Sequence, residues 1–172
     1  FGPQFISNLR SYSNKIFDVH LMINRVEKFI DDYIEAGSNI ISFHIEIEDD
    51  IRSLISKIKK NNIKCGIAIK PKTPWDNIEP YLDDIDQVIV MTVEPGFGGQ
   101  VFMNDQINKI KKISEHIKSK NLDVKIEIDG GINYETGKTC IEVGANILVA
   151  GSFLFKQEDL IKATNSLYDA LS

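Results

Sequence analysis

The chain has 172 residues, 26% of them charged, and a formal net charge of −5, which suits a soluble globular domain with a sizeable core. The lysines are dispersed among Asp and Glu, so there is no electrostatic footing for nucleic acid. No apolar run approaches the roughly 18 residues of a membrane span, and Phe1-Gly2-Pro3-Gln4 lacks the basic start of a signal peptide. Cys65 and Cys140 lie far apart in apolar contexts; they read as reduced core thiols of a cytoplasmic protein, not as a disulfide framework or a zinc site.

A leading helix is expected over about residues 3–12, then a strand at 16–22. Val26, Phe29, Ile30, Tyr33 and Ile34 share a helix face that stops at Ala36-Gly37. A strand at 39–45 precedes a second helix face of Ile51, Leu54, Ile55 and Ile58. Strands follow at 64–69 and 87–93. Asn104-Asp105 is a plausible start for a helix carrying Ile107, Ile110, Ile113 and Ile117, with His116 on its exposed polar side. A strand at 124–129 leads to a helix starting at Asn133 and stopping at Val143-Gly144. The last strand is 145–150, and Leu160, Ala163, Leu167 and Leu171 mark a closing helix.

Strand–helix alternation of this kind means a parallel sheet, doubly wound or closed into a barrel. Central strands of a doubly wound sheet are apolar on both faces. Here one parity is often polar: Asp18, His20 and Met22; Ser42, His44 and Glu46; Lys125, Glu127 and Asp129. Polar groups on one side of successive strands fit the interior of an α/β fold, the TIM (βα)8 barrel. The six strands found are two short of eight, so residues 1–172 are expected to form a single, incomplete, phosphate-binding barrel domain.

Barrel chemistry lies at the C-terminal ends of the strands. His20, Met22, Met91, Asp129 and Gly151-Ser152 fall there, as do the glycines of Met91-Thr92-Val93-Glu94-Pro95-Gly96-Phe97-Gly98-Gly99-Gln100 and Asp129-Gly130-Gly131. Glycines let backbone N–H groups approach an anion closely. Three Gly-bearing loops at strand ends therefore suggest a phosphorylated ligand. His20 and Asp129 suit metal ligation and proton transfer, or else a hydrogen-bonded pair lining the interior. His44, Glu46, Lys70 and Glu127 read as polar lining, and Trp75 as packing.

Phe17-Asp18-Val19-His20-Leu21-Met22 and the ten-residue loop from Met91 to Gln100 together resemble ribulose-phosphate 3-epimerases, as do Ile128-Asp129-Gly130-Gly131-Ile132 and Gly144-Ala145-Asn146 with Val149-Ala150-Gly151-Ser152. The resemblance implies a barrel enzyme, an isomerase of the pentose phosphate pathway, that interconverts D-ribulose 5-phosphate and D-xylulose 5-phosphate through an enediolate. It implies a divalent metal cation (iron(II), zinc, manganese or cobalt) held in part by His20 and Asp129, with Asp129 also catalytic. It implies substrate contacts from His20, Met22, Met91, Gly96, Phe97, Gly98, Gly99, Asp129, Gly130, Gly131, Gly151 and Ser152, and a homo-oligomer, most often a dimer or hexamer.

The family's first strand, first helix and second strand, which carry a substrate-binding Ser, two metal ligands and the second acid/base Asp, have no counterpart here. The chain is therefore expected to be N-terminally truncated and to epimerise weakly or not at all alone. An allulose-6-phosphate 3-epimerase and a catalytically dead phosphosugar-binding protein are the alternative readings.

Overall fold

The structure is a computed structural model and describes residues 1–170. Six strands form one sheet: β1 (Asp18–Leu21), β2 (Ile40–His44), β3 (Lys64–Ile69), β4 (Gln87–Met91), β5 (Lys125–Asp129) and β6 (Ile147–Val149). Every neighbouring pair is parallel, and the order in space is the order in the chain. The helices are α1 (Pro3–Arg10), α2 (Ile30–Glu35), α3 (Ile51–Lys60), α4 (Gln106–Lys120), α5 (Tyr134–Glu142), α6 (Gly151–Phe155) and α7 (Leu160–Ala170). Leu171, expected on the last apolar stripe, lies outside the described residues.

The expected parity sorts the core into two layers. Ile41, Phe43, Ile67, Val88, Val90, Ile126 and Ile128 pack outward onto Ile30, Ile55, Ile58, Ile110 and Ile113 of the helices. Ala68, Ile89, Met91 and Val93 form a small separate cluster on the inner face. Beside it, the Gln87 amide donates to both Asp18 Oδ2 and Glu127 Oε2, each at 2.9 Å. These residues belong to β4, β1 and β5. In a flat sheet β1 and β5, four strands apart, would be separated by roughly 19 Å. The sheet is therefore strongly curled, as a barrel sheet is.

Local chemistry explains most element boundaries. Asp50 caps α3 through Ser53 N, and Asn133 forms a capping box with Thr136 at α5, where a helix start was expected. Asp105 stands at the cap position of α4 without a side-chain bond, so the helix begins at Gln106. The Val26 to Ile34 stripe is not one helix. A tight turn at Val26–Lys28, its first N–H donating to Asp49, precedes α2. The tighter winding breaks the 3.6-residue register, which turns Phe29 to solvent while Val26, Ile30 and Tyr33 stay buried. His116 is another correction. Its side chain is only 17% exposed, because it packs on the Trp75 ring at 5.2 Å and lies 3.8 Å from the Glu79 carboxylate. The strands are each shorter than expected at one or both ends, except β3; Thr92 N makes the last bond of the β4–β5 ladder, to the Asp129 carbonyl, and the chain bends there.

The strand ends are fixed by backbone contact as well. Gly130 and Gly131 have φ of 128° and 65°. A Cβ on Gly130 would lie 2.5 Å from Val93 Cγ2, and one on Gly131 2.6 Å from Phe102 N. Only glycine satisfies both the left-handed backbone and the close approach. Gly131→Ala is expected to cost about 1–3 kcal/mol in a denaturant titration.

Burial, followed by the nearby Asp18 carboxylate, pushes Glu127 up to about 9, while the Gln87 hydrogen bond opposes this only in part. The folded protein therefore holds a proton that the unfolded chain releases near the ordinary Glu value of about 4.5. The associated stability is fully present below that value and is lost as pH rises toward 9. The thermal midpoint should decline between about pH 5 and pH 8 in the parent chain and decline less in Glu127→Gln, as differential scanning calorimetry would record.

Candidate active site

The C-terminal ends of the strands place four polar side chains in a row. His20 on β1 and Asp129 at the end of β5 face each other, with Nδ1 and Oδ2 3.4 Å apart. On its other side His20 Nε2 meets Nε2 of His44, the last residue of β2, at 3.0 Å. The two rings lie nearly parallel with centroids 4.9 Å apart. His44 Nδ1 in turn lies 3.2 Å from Glu46 Oε2. Strand alternation explains the row: His44 and Glu46 are two residues apart beside His20, and the curl brings Asp129 opposite.

Glu46 is firmly ionised. Burial alone would raise its carboxyl, but hydrogen bonds from His44, the Thr73 hydroxyl and the Lys70 amide outweigh burial and hold it at about 2. Lys109 supports the same wall of the site. Its ammonium donates to the Lys70 and Pro71 carbonyls, and burial lowers its pKa despite the acidic Asp105 and Glu46 nearby.

The His20–Asp129 pair has the chemistry and spacing of two ligands to one cation. Donors at about 2.1 Å from a tetrahedral metal are about 3.4 Å from one another. Imidazole nitrogen with carboxylate oxygen suits first-row divalent metals. Among the described residues no three His, Cys, Asp or Glu side chains cluster as a metal site, so this pair supplies two donors and not a complete set.

The Gly-bearing loops converge beside Asp129. Gly99, Gln100, Gly131, Asn133, Ser152 and Lys156 line a cleft of about 250 Å³. Gly151 opens α6, and the first N–H groups of a helix have no partner within it. The tip of the first loop stands in solvent: Gly96 and Gly98 have open space where a Cβ would be, and Phe97 is 87% exposed. Gln100 ties the loop back by donating to the Glu94 and Phe97 carbonyls.

The two methionines separate. Met91 is buried in the inner cluster, next to the Asp129 position in the sheet register. Met22 lies just past β1, is 47% exposed, and joins His20, Gly96 and the apolar side chains of α1 around an opening of about 740 Å³. It is not enclosed, because a strand side chain is covered only where neighbouring chain packs over it. Sequence reasoning passed over Lys156 entirely. The available signal was a lone basic residue one short helix after Gly151-Ser152. His44 and Glu46 were read as lining; their adjacency to His20 became visible only once the register was known.

A model of the ribulose-phosphate 3-epimerase family matches residues 1–155. Ribulose-phosphate 3-epimerase from Bacillus subtilis is 40% identical over 167 residues, covering 96% of this chain and 77% of that protein. The Escherichia coli K12 protein of the same name is 33% identical over 172 residues, covering 99% of this chain and 76% of its own length. Among solved structures, 3-keto-L-gulonate-6-phosphate decarboxylase from Vibrio cholerae superposes with a TM-score of 0.75, covering 98% of this chain and 78% of that one; at 18% identity the likeness concerns the fold. With a family model over residues 1–155 and relatives at 33–40% identity, the chain belongs to the ribulose-phosphate 3-epimerase family of isomerases.

Proposed function

We propose that the chain works as one phosphate-binding barrel domain that interconverts D-ribulose 5-phosphate and D-xylulose 5-phosphate, with Asp129 as the base that takes the C3 proton. The observation that carries this reading is the His20–Asp129 pair, 3.4 Å apart across the curled sheet, with Asp129 two residues before Gly131 in the wall of the cleft. The phosphate would lie in that cleft against backbone N–H groups of the Gly96–Gly99 loop, Gly130-Gly131 and Gly151-Ser152, with Lys156 adding charge. The reacting carbons would then lie toward His20, Met22 and Met91.

When C3–H breaks, the proton goes to an Asp129 oxygen and the electron pair moves through C2 to the ketose oxygen, giving an enediolate. Family members use a divalent metal; His20 and Asp129 would hold it here, and it would stabilise the enediolate oxygens. Iron(II), zinc, manganese and cobalt all suit a nitrogen and oxygen donor pair. The same reading includes a cytoplasmic homo-oligomer. Two free, buried thiols, Cys65 and Cys140, both pushed up to about 12 by burial, accord with a reducing compartment. No described helix is long and apolar enough to cross a membrane.

Inversion at C3 needs a proton returned to the opposite face. Among the described residues the other carboxylate of the row, Glu46, is engaged by His44, Thr73 and Lys70. The 172 residues by themselves are therefore expected to exchange the C3 hydrogen with solvent faster than they epimerise. In deuterium oxide with added manganese(II), label should enter ribulose 5-phosphate while a coupled xylulose 5-phosphate assay stays slow. Asp129→Asn should reduce exchange by about 10²-fold or more. Equal exchange by the variant and the parent would remove Asp129 from the role.

A further inference from the structure

We propose that Glu46, acting through His44, sets the tautomer of His20 so that the unprotonated Nδ1 of His20 faces Asp129. The inference rests on the reading of His20 and Asp129 as a donor pair, and it names two positioning residues for that pair.

The Lys70 amide and the Thr73 hydroxyl both donate to Glu46 Oε1. Oε2 is left as an acceptor facing His44 Nδ1 at 3.2 Å. An ionised carboxylate only accepts, so the His44 proton sits on Nδ1. With one proton per ring, His44 Nε2 is then an acceptor. The contact of 3.0 Å with His20 Nε2 needs one donor, so the His20 proton sits on Nε2. His20 Nδ1 therefore presents a lone pair to Asp129 Oδ2 at 3.4 Å. The reverse assignment would set an unprotonated His44 Nδ1 against the Glu46 carboxylate at 3.2 Å, a shorter contact between acceptors than the 3.4 Å between His20 Nδ1 and Asp129 Oδ2, so the proton takes the Glu46 side.

The consequence is chemical. Two acceptors 3.4 Å apart repel unless something positive lies between them. The relay thus leaves His20 in the form that binds a cation, without a proton to expel first. Residues that hydrogen-bond the far ring nitrogen of metal-bound histidines do this elsewhere by fixing which nitrogen carries the proton.

The test needs neither metal nor turnover, so its failure is separate from failure of the epimerase reading. In the ¹⁵N-labelled 172-residue chain, with chelator present, long-range proton–nitrogen spectra of the imidazoles report which nitrogens are protonated. His20→Gln and His44→Gln assign the signals, leaving His116 as the third ring. The expected result is His44 protonated on Nδ1 and His20 on Nε2. Glu46→Gln should invert both. The Lys70 and Thr73 donors hold the amide oxygen in the Oε1 place, so the amide N–H₂ then donates to His44 Nδ1. A purely structural role for Glu46 predicts no exchange of the two ring signals. A proton on His20 Nδ1 in the parent, protons on both His44 nitrogens, or an unchanged His20 tautomer in Glu46→Gln would each overturn the proposal. Should Glu46→Gln not fold, the parent spectrum alone decides between the two assignments.

Discussion

The site depends on a contact one layer below it inside the curled sheet. The Gln87 amide reaches Asp18 on one side and Glu127 on the other, and so spans β1, β4 and β5 from inside the curled sheet. Two carboxyl groups meet one amide because Glu127, which is buried, keeps its proton; burial and the charge of the exposed Asp18 both favour that form. The cluster draws β1 toward β5. Two residues further along those strands, the same approach sets His20 against Asp129. A polar contact thus lies beside the small inner apolar cluster of Ala68, Ile89, Met91 and Val93.

Much of this was legible in the residues. The alternating strands 40–44, 64–69 and 125–129 carry a period of two that fixes which side chains face inward, and Asn133 carries its own helix signal. The glycine loops were readable because glycine marks positions where the backbone takes left-handed angles or closely approaches a neighbour. What failed was whatever depends on the neighbour across the fold. Phe29 followed the expected stripe but lay after a tight turn that Asp49 holds from a distance of 23 residues. His116 sat on a polar helix face yet found Trp75. The Glu46–His44–His20 row needs the pairing of β1 with β2, and Lys156 needs the fold of three loops onto one another. None of these is a local property of the chain.

The mouth divides its work between rigid and yielding parts. His20, His44 and Glu46 stand at or just past strand ends and hold one another by hydrogen bonds, with Asp129 facing His20 at 3.4 Å. The cleft beside Gly131 is lined by loop residues such as Gly99, Gln100, Asn133 and Ser152, with Lys156 as its cation, and is the place proposed for the phosphate. That division fits chemistry in which a proton moves over a short, fixed distance while a phosphate needs only a well-placed field.

Thr92 bonds the Gly130 carbonyl, Met103 N returns to the Thr92 carbonyl, and Phe102 lies against Gly131. Both feet of the exposed glycine loop therefore stand on the backbone that carries Asp129. The loop tip can vary in length or composition, within a lineage or by design, with its anchors still clasped to the end of β5. Under the proposed function, substrate grip and acid–base alignment are in this sense separately evolvable, and a grafted tip could retarget the sugar without redrawing the strand-end geometry beneath it.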